Sequence, residues 1–481
     1  MSTQSENNVR PPPDREMLDI ADYLIDYEIA SEEAWEAASL VLLDSLGCAM
    51  LALGFPECSR LLGPIVPGTV VPLGARVPGT SFVLDPVKGA FDIGTLIRWL
   101  DFNDTWLAVE WGHPSDNLGG ILAVADFVSR RECAQGNSPL VMADVLAAMI
   151  KAHEIQGIMA LENSFNQVGL DHVALVKLAT AAVATRLLGG GKEEIVNAIS
   201  QVWVDGQSLR TFRHAPNTGS RKSWAAGDAT SRGVRLALLT MAGETGHPSA
   251  LTSRNWGFYD VSFRGERFRF PRPYGTYVME NVLFKVAFPA EFHAQSAVEC
   301  ALALHDQVRD RLDEIDKVII ATQEPAMRII NKSGPLYNPA DRDHCLKYMV
   351  AVGLIFGELS AGHYSDTVAA DTRIDWLRGR MEVVEEPRYS KDYLDPDKRS
   401  IANSVQLFFL DGSRTARVEV EYPLGHRRRR KEGLPLLLGK CRANLSARLP
   451  AHRVEKLLAL RLDQQRLEKM PVHEFMEMLV V

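Results

Sequence analysis

Apolar residues recur at helical spacing through most of the first 270 positions. Leu118, Ile121, Leu122, Ala125 and Val128 follow i, i+3, i+4, i+7, i+10, the stripe of an amphipathic helix. Ser31 stands as an N-cap ahead of Trp35, Ala38 and Leu42. Ser138-Pro139 offers a cap followed by proline at the first helical position, which predicts a helix over Leu140 to Ile155. Asp171 caps Val173 to Leu188, and Gly189-Gly190-Gly191 closes that helix because glycine accepts left-handed backbone. Alternating strands are scarce, so residues 16–270 predict an all-α region.

After about Pro273 the period changes. Lys317 to Thr322 is a short β-branched run, and Ser404 to Leu410 alternates with Val405, Leu407 and Phe409 inward. Asp411-Gly412 offers a hairpin turn, and Val418, Val420 and Tyr422 then alternate with Glu419 and Glu421. From Gly433 the helical pattern returns. The expected fold is mainly α: a large all-helical domain over 1–272, a smaller α+β domain over 273–425, and C-terminal helices over 426–481 packing back on the first.

Composition narrows the function classes. At 481 residues the chain is long enough for two to four domains or one elaborated one. Its 53 Lys+Arg against 61 Asp+Glu give a net charge of −8, which argues against nucleic-acid and membrane-surface partners. An anionic ligand then needs a local cluster of cations. The six cysteines contain no C-x2-C pair, which points away from a disulfide framework, a zinc ribbon or an iron–sulfur site and toward a reducing compartment. Met1 to Arg15 is polar, without the apolar core of a signal peptide, and no run of about 18 charge-free apolar residues occurs. The richest candidate, Val173 to Leu188, carries Lys177 and Arg186 and reads as a buried helix. A soluble, cytoplasmic protein is expected. The five cations Arg427 to Lys431 read as a solvated loop.

Two motifs fail on spacing. Gly189-Gly190-Gly191-Lys192 follows a helix and lacks the phosphate-loop pattern, and His153-Glu154 is followed by Gly157 where a zincin needs histidine. A different arrangement carries chemistry. His113, His172, Lys222 and Lys285 each stand just before or in the first turn of an expected helix; for Lys285 that helix opens at Pro289. A cation there is mildly unfavourable, by about 0.3–1 kcal/mol, until an anion binds the same N–H groups. Four such positions suggest one pocket for a ligand with several carboxylates or phosphates. Asp101 and Thr105, on one face if the preceding helix continues that far, add a carboxylate and a hydroxyl near the His113 imidazole.

The segments RWLDFNDTWLAVEWGHPSDNLGG (98–120), KAHEIQG (151–157), VGLDHVALVK (168–177), RHAPNTGSRKSWAAGDATSR (213–232), ENVLFKVAFPAEFHAQSAVE (280–299) and NPADRDHCLKYMVA (338–351) closely resemble the MmgE/PrpD family. The resemblance covers essentially the whole chain, and within the family it is strongest to the branch that dehydrates 2-methylcitrate without an iron–sulfur cluster. It implies a helical domain with an α+β lid, a cleft between them, and no cofactor or metal. It also implies a small tricarboxylate as substrate and leans toward a homodimer through the helical domain. The family's active-site positions fall on Asp101, Thr105, His113, His172, Lys222 and Lys285. In that chemistry His113 or His172 serves as base or acid, Asp101 tunes an imidazole and Thr105 binds substrate. Lys222 and Lys285 hold carboxylates, with Arg213 as helper. Related cis-aconitate decarboxylases use a tyrosine just ahead of the position of Asn331, where this chain reads Arg328-Ile329-Ile330, although Tyr337 is near. A decarboxylase or epimerase on the same scaffold, or a non-catalytic helical interaction protein, are the alternative readings.

Overall fold

The helical stretches form because nearly every apolar stripe has a neighbouring stripe to cover it. In the computed structural model, which describes residues 8–481, these are α1 (Arg15–Asp26), α2 (Glu32–Ala52), α3 (Pro86–Arg98), α4 (Leu118–Ala134), α5 (Met142–Glu162), α6 (Val173–Leu187), α7 (Lys192–Val204) and α8 (Arg221–Met241). Ser31 Oγ accepts from Ala34 N, capping α2 as expected. Asp85 caps α3 through Val87 N and Lys88 N, with Pro86 at the first position. Gly189, at φ 93°, follows the end of α6. The polar start of the chain lies in part, over residues 1–7, outside the described residues.

Helix α2 is long and apolar enough to span a membrane, more so than the Val173–Leu188 stretch favoured from sequence. It is instead a core helix: 83% of its apolar window is buried, and it carries the buried Asp44. Helix α5 begins at Met142, later than Ser138-Pro139 suggests. Val141 bridges Pro471, and Leu140 O accepts from Val472 N, so pairing with the C-terminal segment holds this stretch extended.

Glycines set how closely α3, α4, α6 and α8 cross. A Cβ on Gly94 would lie 2.9 Å from the Gly227 Cα, and one on Gly120 would lie 2.5 Å from the Thr180 methyl. The bare crossings bring the end of α3 and the starts of α4, α6 and α8 together, and the polar cluster forms there.

Three of the four strands of the main sheet lie where the sequence predicts them, and the fourth, Met381–Glu385, is one the sequence reading did not anticipate. After α9 (Gln295–Val308) come β1 (Ile315–Thr322), α10 (Leu346–Phe356), β2 (Met381–Glu385), β3 (Asn403–Phe409) and β4 (Val418–Val420). The sheet order is β2-β1-β3-β4, with β1 and β2 parallel and the other pairs antiparallel. Val318 faces Met381, and Ile320 faces Val405. Val405, Leu407 and Phe409 point inward, beneath α9 and α10. The two-residue hairpin read at Asp411-Gly412 is a longer connection: Phe409 N donates to Ser413 O, and the β4 pairing starts only at Val418.

One hydrophobic cluster draws on residues 17–286 and 437–479, a second on residues 288–409. Helix α11 (Arg430–Ser446) packs on α2, where a Cβ on Gly47 would lie 3.2 Å from the Asn444 Cβ. The Arg427–Lys431 run is not a solvated loop. It is a helical turn entering α11, with Arg427 paired to Glu33 and Arg429 to Glu299 and Glu432.

Candidate active site

Arg98 ends α3, and the backbone then turns through Asp101 at φ 50°. Asp101 and Thr105 therefore do not share a helix face. Left-handed backbone at a non-glycine residue costs about 1–3 kcal/mol, which the ion pairs on Asp101 offset. Thr105 leads instead into a small hairpin, Trp106–Leu107 against Trp111–Gly112, one of two short hairpins in this mostly helical region, the other pairing Ala75–Arg76 with Val83–Leu84. Thr105 also bridges Leu283, which draws the following segment alongside Asp101. Lys285 Nζ donates to the Asp101 carbonyl (2.6 Å) and to Oδ1 (2.5 Å).

Lys285 is not at a helix start. Gln295 Nε2 donates to the Phe288 and Ala290 carbonyls, Glu291 accepts from His293 N, and α9 begins only at Gln295. Those bonds hold 288–291 out of a helix.

His113 precedes the turn Pro114–Asn117 that opens α4. Its Nδ1 lies 2.6 Å from the Asp104 carbonyl and its Nε2 lies 2.9 Å from Arg98 Nη2. A carbonyl only accepts and a guanidinium only donates, so Nδ1 carries the proton and Nε2 the lone pair. Thr105 Oγ1 is 3.3 Å from the same Nδ1. Asp104 is fixed by Ser115 N and by His153 Nε2, while Glu154 accepts from Gly275 N and Val278 N. His153-Glu154 is thus a supporting pair.

His172 caps α6, its ring 5.9 Å from that of His113. Arg210 Nη1 donates to its Nδ1 at 3.4 Å, which leaves a protonated Nε2, buried and without a partner. Asp171, beside it, does less capping than pairing: Val173 N is 3.3 Å from its carboxylate, while Arg213 grips it through Nε (2.5 Å) and Nη2 (3.0 Å). Lys222, in the first turn of α8, donates to both oxygens of Asp343 (2.5 and 2.7 Å) and lies 3.0 Å from His344 Nδ1.

A cavity of about 20 Å³ joins these groups. Asp101, Thr105, His113, His172 and Arg213 line it, together with Arg98, Arg210, Glu291 and His344, against an apolar wall that includes Leu107, Trp111 and Ile329. Lys285 stands behind Asp101, and Lys222 reaches the cavity only through His344. The space admits about one water, so a larger ligand must part the walls. Arg98, Arg210, Glu291, Asp343 and His344 are the residues sequence reasoning missed.

The cations Arg98, Arg210, Arg213, Lys222 and Lys285 surround the carboxylates Asp101, Asp171, Asp343 and Glu291. Burial lowers the pKa of His113, His172, His344 and Lys285 and brings Lys222 down to about 8. Burial pushes carboxylates the other way, yet the arginines and lysines beside Asp101, Asp171 and Asp343 outweigh it and hold all three below the usual range. The downward shift of these carboxylates records the surrounding cations, whereas burial raises Glu110 and Asp116, which border the same cluster, to about 7. Among the described residues the buried Nε atoms of Arg98 and Arg210, with Asp101 Oδ2 and His172 Nε2, have no hydrogen-bond partner. Asp101, Asp343 and His344 could approach one metal ion. Arg98, Lys285 and Lys222 already neutralise the two carboxylates, so a further cation fits poorly and an anion well.

Lys440, on α11, buttresses the cluster. Its Nζ pairs with Asp44 at 2.7 Å and donates to the carbonyls of Phe102 (2.7 Å) and Lys285 (2.8 Å). Tyr337, which left decarboxylation open in the sequence, is 72% exposed, and Ile329 lines the cavity instead.

The MmgE/PrpD N-terminal domain model matches residues 18–271, and the C-terminal domain model matches residues 288–464. A protein of Escherichia coli (strain K12) named 2-methylcitrate dehydratase is 61% identical over 478 residues, 99% of each chain. One of the same name from Cupriavidus necator is 61% identical over 485 residues, the full length of both. A Yarrowia lipolytica relative, named 2-methylcitrate dehydratase, mitochondrial, is 56% identical over 484 residues, 100% of this chain and 93% of the relative.

Proposed function

The chain belongs to the MmgE/PrpD family, and from that premise we propose that it is a hydro-lyase dehydrating 2-methylcitrate to 2-methyl-cis-aconitate in propionate catabolism. The observation that carries this reading is the ring of unpartnered buried polar atoms on Arg98, Asp101, His172 and Arg210, set among five cations around one closed cavity. Buried polar groups normally find partners, and a polycarboxylate supplies acceptors for the donors among these.

His113 is the base in this reading. Its Nε2 lone pair becomes free when Arg98 turns from it to a substrate carboxylate. The α C–H bond then breaks, its proton passes to Nε2, the carbon–carbon double bond forms and the neighbouring C–O bond breaks. Lys222, protonated below about pH 8 and in contact with His344, supplies the proton with which the hydroxyl leaves as water. His172 Nε2–H and the guanidiniums of Arg98 and Arg210 donate to the carboxylate on which charge develops, where fixed donors are most effective. The second hydrophobic cluster acts as a lid, moving off the first to admit substrate. No iron–sulfur cluster takes part. Five of the six cysteines are buried and no two form a C-x2-C pair, a set ill suited to ligating a cluster.

The test is an absorbance assay on metal-free enzyme with 2-methylcitrate, citrate and cis-aconitate side by side, comparing wild type with His113→Gln. Double-bond absorbance should grow with 2-methylcitrate and be abolished in the variant. Near-wild-type turnover by the variant would sink the assignment, and carbon dioxide release without water loss would replace dehydration by decarboxylation.

A further inference from the structure

Dehydration leaves the Arg427–Lys431 run without a use. Arg429 and Arg430 turn inward, Arg429 to Glu299 (2.7 Å) and Arg430 to the Val282 carbonyl (2.6 Å). Arg427 and Arg428 instead line a cavity of about 220 Å³ to which Lys398 and Arg399 also contribute. Trp106, Leu107 and Tyr393 supply part of its apolar lining.

Four cations line this cavity against one carboxylate, that of Asp397, which opposes an anion but is outnumbered. Lys398 pairs with Asp392 (2.7 Å) and Arg427 with Glu33 (2.5 Å). Among the described residues Arg399 and Arg428 form no ion pair with a carboxylate. Arg399 Nη1 donates to the Leu107 carbonyl at 3.0 Å, its guanidinium lies 4.6 Å from the Trp106 ring centre, and its Nε is buried without an acceptor. Arg428 Nη2 donates to the Asp397 carbonyl at 2.6 Å, and its guanidinium lies 4.9 Å from the Tyr422 ring centre. Stacking fixes each guanidinium plane while leaving N–H edges for a bidentate acceptor. Two such groups on one enclosed cavity describe a receptor for an anion. Leu107 lines both this cavity and the catalytic one, so the two stand back to back across the Trp106–Leu107 strand.

We propose that this basic cavity is a second anion site, taking a small carboxylate- or phosphate-bearing anion and touching the catalytic cavity through Leu107. The experiment is calorimetric titration of the full-length protein with inorganic phosphate and, separately, with tricarballylate, which lacks the hydroxyl that dehydration removes. Wild type is compared with Arg428→Ala and Arg399→Met. Arg428 is exposed, so its truncation leaves the core intact, and methionine keeps an apolar stem over Trp106. One anion should show a site whose Kd rises about tenfold or more in both variants. Phosphate giving that result identifies a phosphoryl ligand, tricarballylate a carboxylate one. Equal affinity of wild type and both variants for each anion, or no binding of either anion to wild type, would overturn the proposal. The readout is binding and not turnover, so it stands or falls apart from the dehydration chemistry.

Discussion

Two buried lysine–aspartate pairs lie on either side of the catalytic segment, and they behave in opposite ways. Lys222 meets Asp343 at 2.5 Å and Lys440 meets Asp44 at 2.7 Å. Burial lowers both amines. For Lys222 the attraction of Asp343 is opposed by Arg98 nearby, and the pKa ends at about 8. For Lys440 the Asp44 carboxylate, through its charge and its hydrogen bond, outweighs burial, and the pKa ends above the ordinary value. The difference is crowding by like charge. A buried lysine with an arginine beside its carboxylates keeps its proton loosely and is fit to give it up; a lysine paired to its carboxylate without that competitor is a fastener.

Breaking the first pair carries the largest expected effect. Lys222→Met removes charge from the site and strands Asp343, and kcat/KM for dehydration should fall about 10²–10³-fold. Activity within about threefold of wild type would remove Lys222 from the chemistry.

Breaking the second pair should appear mainly in stability. Lys440→Met leaves the Asp44 carboxylate buried and unpaired, costing about 3–5 kcal/mol in chemical denaturation. Lys440 also ties the Phe102 and Lys285 carbonyls, so it positions the Asp101–Lys285 pair. The double variant Lys440→Met/Asp44→Leu should therefore regain stability without regaining kcat. Full recovery of kcat would reduce Lys440 to an ion pair with no positioning role.

The pH response separates the pairs by sign. Folding lowers the Lys222 pKa from 10.5 to about 8, so between those values the unfolded chain holds a proton the native one has lost. Its contribution to stability therefore rises with pH through that window, while kcat/KM falls about tenfold per unit above about 8. Lys440 is raised above 10.5, so its stabilisation is full below that value and is lost as pH climbs through the folded pKa. Parallel pH series of kcat/KM and unfolding free energy check both signs, and Lys222→Met should abolish the activity slope.

A smaller effect is expected at Gly112. A Cβ there would lie 2.9 Å from Gln156 Nε2 and 3.5 Å from His172 Cδ2. Gly112→Ala should cost about 1–3 kcal/mol of stability and lower kcat several-fold by displacing the His172 ring. Unchanged kinetics would show that the ring's placement is not critical.

The helical body and the strands at Lys317–Thr322 and Ser404–Leu410 were legible because burial on one face imposes a period, and a period survives in sequence. Five of the seven proposed site residues line the cavity, and Lys285 and Lys222 stand one contact behind. Arg98, Arg210, Glu291, Asp343 and His344 were not legible as site residues, since an ion pair between positions 121 apart, such as Lys222 with Asp343, leaves no local pattern. The helix start assigned near Pro289 failed for a related reason: a side chain six positions later, Gln295, captures the carbonyl ahead of that turn and the one after it.

Sequence by itself determined the helical and strand periods, the types of residue available for chemistry, and the family resemblance. It also established that global charge could not gather an anionic ligand. Only the tertiary structure decided how that charge is organised. It placed every cation of the candidate site against an internal carboxylate, fixed the tautomers of His113 and His172, and divided the Arg427–Lys431 run between inward fasteners and a basic cavity. Periodicity is written by neighbours three or four residues away, whereas a buried charge is satisfied by whichever partner the fold brings within 3 Å.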